Sequence, residues 1–371
     1  MPAAIRRATE RGLQTTVIEQ SGVSTVYAAL WPDGDETEAA LAGRCAAFLR
    51  ESGTAIVKCD VFGPCVRYKQ FVRALAAHLP PPCPPVTWVE GLSCNGAPLA
   101  GILVRSVAGA RVDTVCLDAG PVARAWEDAT GRYCIVGGIN SGAPGIMPAQ
   151  QTQLTLEALE SALNAAGMDT TNLVRTWFYN DRLLEWYGAF NAVRTRFYRD
   201  RGIFEKLLPA STGIGGRNPH ETALVAAAEA IAFKVNGASA REISSPLQNQ
   251  ALGYGSAFSR AVEIETPGLR RLLISGTASI NERGETVFKG DTAAQIDQTI
   301  KVVQAILESR SMDWADTVRA IAYVKNPGDA GTFTGFLRER SFPQLPWIIA
   351  ENDVCRDDLL FEIEVDAVKG F

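Results

Sequence analysis

The sequence predicts an α+β protein made of three tandem α/β units that pack together as an intramolecular pseudo-trimer. Residues of the middle third recur in the last third at a constant offset of 144: Gln151 and Gln295, Thr155 and Thr299, Met168 and Met312, Val174 and Val318, Tyr179 and Tyr323. A fainter recurrence at an offset of 261 ties the first third to the last, through Val57-Lys58 and Val318-Arg319, Pro82 and Pro343, Pro85 and Pro346, Cys94 and Cys355. The chain closes on Leu359-Leu360-Phe361-Glu362-Ile363-Glu364-Val365, whose alternation is that of a strand. Self-similarity at a fixed offset marks repeated structural units.

Each element follows from local pattern. In the last third, residues 270–276 read as a strand ending in glycine, and Asn281-Glu282-Arg283-Gly284 as a turn. Ile296, Ile300, Val303 and Ile306-Leu307 fall at helix spacing and predict a helix over 292–310. A strand over 318–324, a helix over 332–340 and the closing strand complete the unit. The middle third has the same order: strand 132–137, helix 151–166, strand 174–179, helix 186–201 and an alanine-rich closing strand 223–233. In the first third the closing strand is 101–105. The units divide as 1–113, 114–240 and 241–371, with Asn236-Gly237-Ala238-Ser239 as one linker.

Composition narrows the function classes. The 371 residues are 47% hydrophobic and 21% charged, with a net charge of −5. That is enough apolar surface for several cores, and it argues against a nucleic-acid or anionic-membrane partner. No apolar run reaches the roughly 18 residues of a membrane span. The basic start Met1-Pro2-Ala3-Ala4-Ile5-Arg6-Arg7 lacks a following apolar stretch, so no signal peptide is expected. Eight cysteines form no CxxC pair and no zinc spacing, which fits reduced thiols in the cytoplasm. With only His78 and His220, no metal site is expected. No GxGxxG or phosphate-loop lysine is present, and no cofactor is expected.

The closing strand is the informative stretch. Leu359, Phe361, Ile363 and Val365 fall on one face, Leu360, Glu362 and Glu364 on the other. A sheet with helices on one side leaves its other face uncovered. Three units packed about a pseudo-threefold axis would cover those faces with one another and turn them into inter-unit clefts. The first unit carries Gly101 at the position of Glu362. One carboxylate in a repeated frame is what a single active site per chain requires. Glu364 shares the face, as a second contact or as a paired or solvated carboxylate.

Leu273-Ile274-Ser275-Gly276 and Phe361-Glu362-Ile363-Glu364-Val365-Asp366-Ala367, with the helix–strand–helix between them, resemble the RidA/YjgF family of trimer-forming proteins (the chorismate-mutase-like fold class). The arginine those deaminases place after a proline would fall near Ile348, where it is missing. More of the chain is similar to the chorismatases: Phe258-Ser259-Arg260-Ala261, Ile274 to Ser279, Gly290-Asp291 and Asp353 to Glu362. The most specific feature is the seven-residue step from Cys355 to Glu362. This resemblance implies hydrolysis of chorismate to pyruvate and either a hydroxybenzoate or a cyclohexadiene diol.

The resemblance also implies roles. Glu362 would be the general acid, since cleaving an enol ether begins by protonating its methylene carbon, and a desolvated carboxyl stays protonated near neutral pH. Cys355, the second residue assigned to the chemistry, would shape the pocket rather than attack, steering the product toward 3-hydroxybenzoate. Ala278 or Gly276 is a second steering position, or simply close packing at a strand end. Two substrate carboxylates call for arginines. Arg260 comes first, then Arg217 in Gly215-Gly216-Arg217-Asn218-Pro219, whose glycines would admit a ligand to the backbone. Tyr187, Arg194 and Tyr198 share helix spacing and are further candidates, although such stripes are ordinarily core with a solvated edge. The expected protein is thus a cofactor-free monomer acting on chorismate. Product identity stays open between 3-hydroxybenzoate, 4-hydroxybenzoate and the diol. An imine deaminase and a non-catalytic carboxylate-binding protein are the rival readings.

Overall fold

The computed structural model describes residues 3–371, so Met1 and Pro2 of the basic start lie outside the described residues. The first unit runs β1 (Ala4–Glu10), β2 (Leu13–Gln20), β3 (Val23–Leu30), α1 (Glu38–Ser52), β4 (Ala55–Phe62), α2 (Tyr68–His78), β5 (Thr87–Val89), β6 (Leu92–Ser93) and β7 (Gly101–Ala108). The second runs β8 (Val112–Leu117), β9 (Gly120–Glu127), β10 (Gly131–Ile139), α3 (Pro148–Ala165), β11 (Leu173–Asn180), α4 (Leu183–Asp200), β12 (Ala210–Gly215) and β13 (Leu224–Phe233). The third runs β14 (Ser239–Ile243), β15 (Ala261–Thr266), β16 (Leu269–Ala278), α5 (Thr292–Ser309), β17 (Thr317–Val324), α6 (Asp329–Glu339), β18 (Trp347–Glu351) and β19 (Phe361–Gly370).

The sheets are ordered β1-β2-β3-β7-β4-β5, β12-β11-β13-β10-β9-β8 and β14-β15-β16-β19-β17-β18-β6. Each has the same centre, in which the closing strand lies antiparallel between its unit's third strand and the strand after the first helix. The first unit lends β6 to the edge of the third sheet. Local chemistry sets the elements. Asp291 caps α5 by accepting from Ala294 N at 3.0 Å. Ile296, Ile300, Val303 and Ile306 of α5 pack on Phe361, Ile363 and Val365 of β19. The apolar face of the closing strand is thereby buried under its own helices.

Three sequence expectations change. Each unit opens with two additional hairpin strands, and a short strand (β5, β12 or β18) runs parallel to the strand after the first helix. The closing strand begins at Phe361, so Leu359 and Leu360 precede it, and buried Leu359 packs with Ala278, Ile280 and Val354. The divisions expected after residues 113 and 240 fall inside β8 and β14, so the sheets change at the turns before Val112 and Ser239.

The uncovered sheet faces meet around a common axis. Phe62, Tyr179 and Tyr323, one from each unit and related by the two offsets, place their rings edge to face there at 6.0 Å and 6.2 Å from Phe62. Lys58, Arg175 and Arg319 are related in the same way and surround the Trp177 indole, at 4.0, 4.9 and 5.2 Å from its centroid. The Glu229 carboxylate joins all three units: it accepts from Arg105 Nη1 of the first and Arg271 Nη2 of the third, each at 2.8 Å. A cavity of about 10 Å³ lies among Lys58, Asp60, Arg105 and Arg319, which is room for about one water.

Candidate active site

The polar face of β19 points away from its helices into this inter-unit zone. Glu362 sits opposite Ala278 of β16 and Tyr323 of β17. It is 4% exposed. Burial pushes its carboxyl up to about 8, and the neighbouring Glu364 carboxylate adds to this, while Arg260 and Arg175 pull it partly back. A proton-bearing carboxylic acid at neutral pH results. Space for it comes from Gly276, at the bulge of β16 between Ile274 and Thr277: a Cβ there would overlap Glu362 Oε1.

Glu362 faces a cavity of about 280 Å³ between the second and third units, close to the lower end of the roughly 300–1,000 Å³ found for small-molecule sites. The third unit supplies Arg260, Gly276, Ala278, Cys355 and Arg356; the second supplies Tyr187, Arg194 and Ser211. The two walls are stitched together. Ser259 N donates to Pro209 O at 3.1 Å, Ser211 N to Ser275 Oγ at 2.8 Å, and Gly276 N to Thr212 Oγ1 at 3.1 Å.

Three arginines reach this cavity. Arg260 is 2% exposed and donates to Asn249 O at 2.8 Å. Arg194, 1% exposed, donates to Asn191 Oδ1 at 2.7 Å and lies over the rings of Phe190 and Phe258. Arg356 donates to Gly284 O at 2.8 Å. Such side chains, already oriented, can meet anionic oxygens without further ordering. Burial pushes the Cys355 thiol up to about 12, reinforced by Glu362, so it is a neutral wall residue rather than a thiolate.

Glu362, Cys355, Arg260, Gly276, Ala278, Tyr187 and Arg194 are therefore brought together, and two sequence candidates are not. Tyr198 is fully buried in the core of the second unit, further along α4 than the cavity reaches. Arg217 lies 3.5 Å from Glu90 and does not line the cavity. Its flanking glycines admit protein rather than ligand: a Cβ on Gly215 would strike Asp353, and one on Gly216 would strike Val89. Glu364 is fully buried and paired, not solvated. Sequence reasoning missed Arg356, whose signal was its place directly after Cys355 in the segment leading to Glu362.

The two pseudo-equivalent clefts lack this chemistry. Between the first and second units, Gly138 N donates to Thr87 Oγ1 at 3.0 Å, repeating the Gly276–Thr212 bond. There the Glu362 position is held by Val225, which pairs with Tyr179 as Glu362 does with Tyr323. The described lining of that larger cleft, about 1,210 Å³, includes no arginine or lysine. Between the third and first units Gly101 takes the position of Glu362, and the space is filled by buried Ile348, whose Cδ1 a Cβ on Gly101 would strike. Among the described residues no group of three or more His, Cys, Asp or Glu is placed to hold a metal ion, and no helix is long and apolar enough to cross a membrane.

No protein-family profile matches the sequence. A curated chorismatase of Streptomyces rapamycinicus is 30% identical over 212 residues, covering 52% of this chain and 63% of that protein. A chorismatase of Streptomyces hygroscopicus is 27% identical over 215 residues, covering 52% and 60%. A chorismatase crystal structure superposes with a TM-score of 0.63 at 19% identity, over 91% of this chain and 95% of that one. The chain is similar in sequence to these chorismatases over about half its length, and it shares the fold of the chorismatase crystal structure. The sequence matches span less than two thirds of the length of the two curated chorismatases, whereas the fold match spans nearly all of the chorismatase crystal structure. The architecture is the tandem three-unit arrangement that the internal repeat predicts, and the Glu362 carboxyl lies in one of its inter-unit clefts.

Proposed function

We propose that the cleft between the second and third units cleaves the enol ether of chorismate, releasing pyruvate and a hydroxybenzoate, with Glu362 as general acid. The observation that carries this reading is a buried carboxyl raised to about 8 in a cavity that also holds Arg194, Arg260 and Arg356. Protonating a methylene carbon needs an acid that still bears its proton near neutral pH. A dianionic substrate needs cations on the wall around that acid.

In this mechanism the arginines of the two walls hold the two carboxylates, so the substrate spans the inter-unit boundary with its enolpyruvyl methylene toward Glu362. Proton transfer from Glu362 to that carbon creates an oxocarbenium ion. The ring hydroxyl next to the ether then displaces the enolpyruvyl oxygen. The ring carbon–oxygen bond breaks, pyruvate leaves, and an arene oxide remains that opens to 3-hydroxybenzoate. The proton of the ring hydroxyl returns to the Glu362 carboxylate. No water is consumed, since chorismate and the two products balance. The neutral Cys355 lines the cavity with Glu362 and supports 3-hydroxybenzoate as the main product, while the small Ala278 beside it leaves room for some diol. Both walls belong to one chain, so a monomer acting in the cytoplasm without a cofactor fits the reading.

The test is direct. Purified protein mixed with chorismate should release pyruvate and 3-hydroxybenzoate in equal amounts, followed by coupled assay and chromatography. Absence of pyruvate, or undiminished turnover in Glu362→Gln, would refute the mechanism.

A further inference from the structure

Glu362 owes its proton partly to a second carboxylate that never meets the cavity. Glu364 lies two residues along the same face of β19, about 7 Å away along the strand. It is fully buried and does not line the cavity. Three donors converge on it: Arg319 Nη2 at 2.6 Å, Arg175 Nη2 at 3.1 Å and Trp177 Nε1 at 3.2 Å. Two of these come from the second unit and one from the third, so the anion is fixed only when the two units dock.

We propose that Glu364 is a positioning residue: as a permanently ionised carboxylate clamped by Arg175, Arg319 and Trp177, it keeps the proton on Glu362. This rests on the reading of Glu362 as proton donor. The clamp and the acid are physically joined. Arg175 Nη2 donates to Thr212 Oγ1 at 2.8 Å, and the same oxygen accepts Gly276 N at 3.1 Å, beside the Glu362 carboxyl. Burial would raise the Glu364 carboxyl, but Arg319, Arg175 and the Thr212 hydroxyl hold it below the usual range. Two carboxyls this close in a dry site do not both ionise readily, and the one with the better cation partners takes the charge.

The charged and titratable groups facing Glu362 are few enough to identify the setter. The loop before β15 brings Arg260, the segment before β19 brings Cys355 and Arg356, α4 brings Tyr187 and Arg194, and β11 brings Arg175. β17 contributes Tyr323 and, through Glu364, Arg319. Opposite Glu362 on β16 stands Ala278, without charge. Among these groups Glu364 is the anion, so removing its charge leaves cations to draw the proton off Glu362.

The experiment is the pH profile of pyruvate release from chorismate, together with ¹³C NMR titration of carboxyl-labelled glutamates, the Glu362 signal being assigned by its loss in Glu362→Gln. Glu364→Gln should move the alkaline limb, and the Glu362 titration, at least one pH unit toward acid, so that turnover well above the limb falls about tenfold, with activity recovered at lower pH. Arg319→Gln, which takes a cation from Glu364 without removing one that acts on Glu362 directly, should move both the same way. A merely structural role would lower turnover at every pH and leave the limb in place. If Glu364→Gln does not fold, Arg319→Gln decides alone. A limb and titration that stay within about 0.3 unit of wild type in the folded variants would overturn the proposal. A wild type that releases no pyruvate would sink the chorismate reading, while the NMR titration would still decide the Glu364 clamp.

Discussion

Gly276 and Glu362 share one space: a Cβ at position 276 would overlap Glu362 Oε1 and press on Thr212 at 3.2 Å. The backbone of Gly276 is not in the left-handed region, so alanine is tolerated conformationally, and the atom in its way is the far end of a flexible side chain. Gly276→Ala should therefore fold with near wild-type thermal stability and displace the acid. A displacement of about 1 Å in a catalytic group costs on the order of 100-fold. Steady-state pyruvate release should fall by about that factor, and a variant with full activity would show that Glu362 need not occupy this position.

The pH dependence follows from the direction of the Glu362 shift. In the proposed mechanism only the protonated form of Glu362 donates, and burial raises its carboxyl to about 8. Turnover should hold through neutral pH and fall as pH rises through about 8. An ordinary carboxyl would lose activity near pH 4–5 instead. Profiles of kcat against pH between 5 and 10 separate the two.

The repeat was legible because its recurring residues hold equivalent joints. Gln151 Oε1 accepts Ala223 N at 2.7 Å, and Gln295 Oε1 accepts Leu360 N at 2.8 Å, each bracing the chain as it enters a closing strand. Tyr179, Tyr323, Arg175 and Arg319 recur because all occupy the shared axis. Glu362 stood out because its strand alternates so regularly. Other features leave no periodic trace. β5 and β18 are three and five residues long, too short to establish a pattern. Helix spacing puts Tyr198 on the same stripe as Tyr187 and Arg194, but it does not say how far along the helix the cavity extends. Arg217 misled because glycines beside an arginine look alike whether they admit a ligand or, as here, another segment of the same chain.

Glu362 should also cost the fold stability. A carboxyl raised in the folded state contributes its stability fully below its unfolded value and loses it as pH rises through the folded value. From the usual 4.5 to about 8, at about 1.4 kcal/mol per unit, the loss is on the order of 5 kcal/mol. Glu362→Gln keeps the shape without the charge. Its unfolding free energy, from urea titrations, should match or fall below wild type at pH 4–5 and gain on it steadily up to about pH 8. A difference that does not change with pH would contradict this assignment.

Glu229 should behave in the opposite sense. Burial would raise its carboxyl, but Arg105 and Arg271 outweigh this and hold it at about 2. Its stabilisation is present above the unfolded value and is lost as pH falls toward about 2. Because these two arginines come from the first and third units, the ion pair fastens all three sheets rather than one. Glu229→Gln leaves two buried guanidinium groups without their anion, and breaking a buried pair in this way costs about 3–5 kcal/mol. The variant should unfold at lower urea at pH 7 and converge with wild type in acid. Pyruvate release per folded molecule should change little, since Glu229 lies outside the Glu362 cavity. Equal stability of variant and wild type at pH 7 would mean that apolar packing at the axis, and not this carboxylate, holds the three units together.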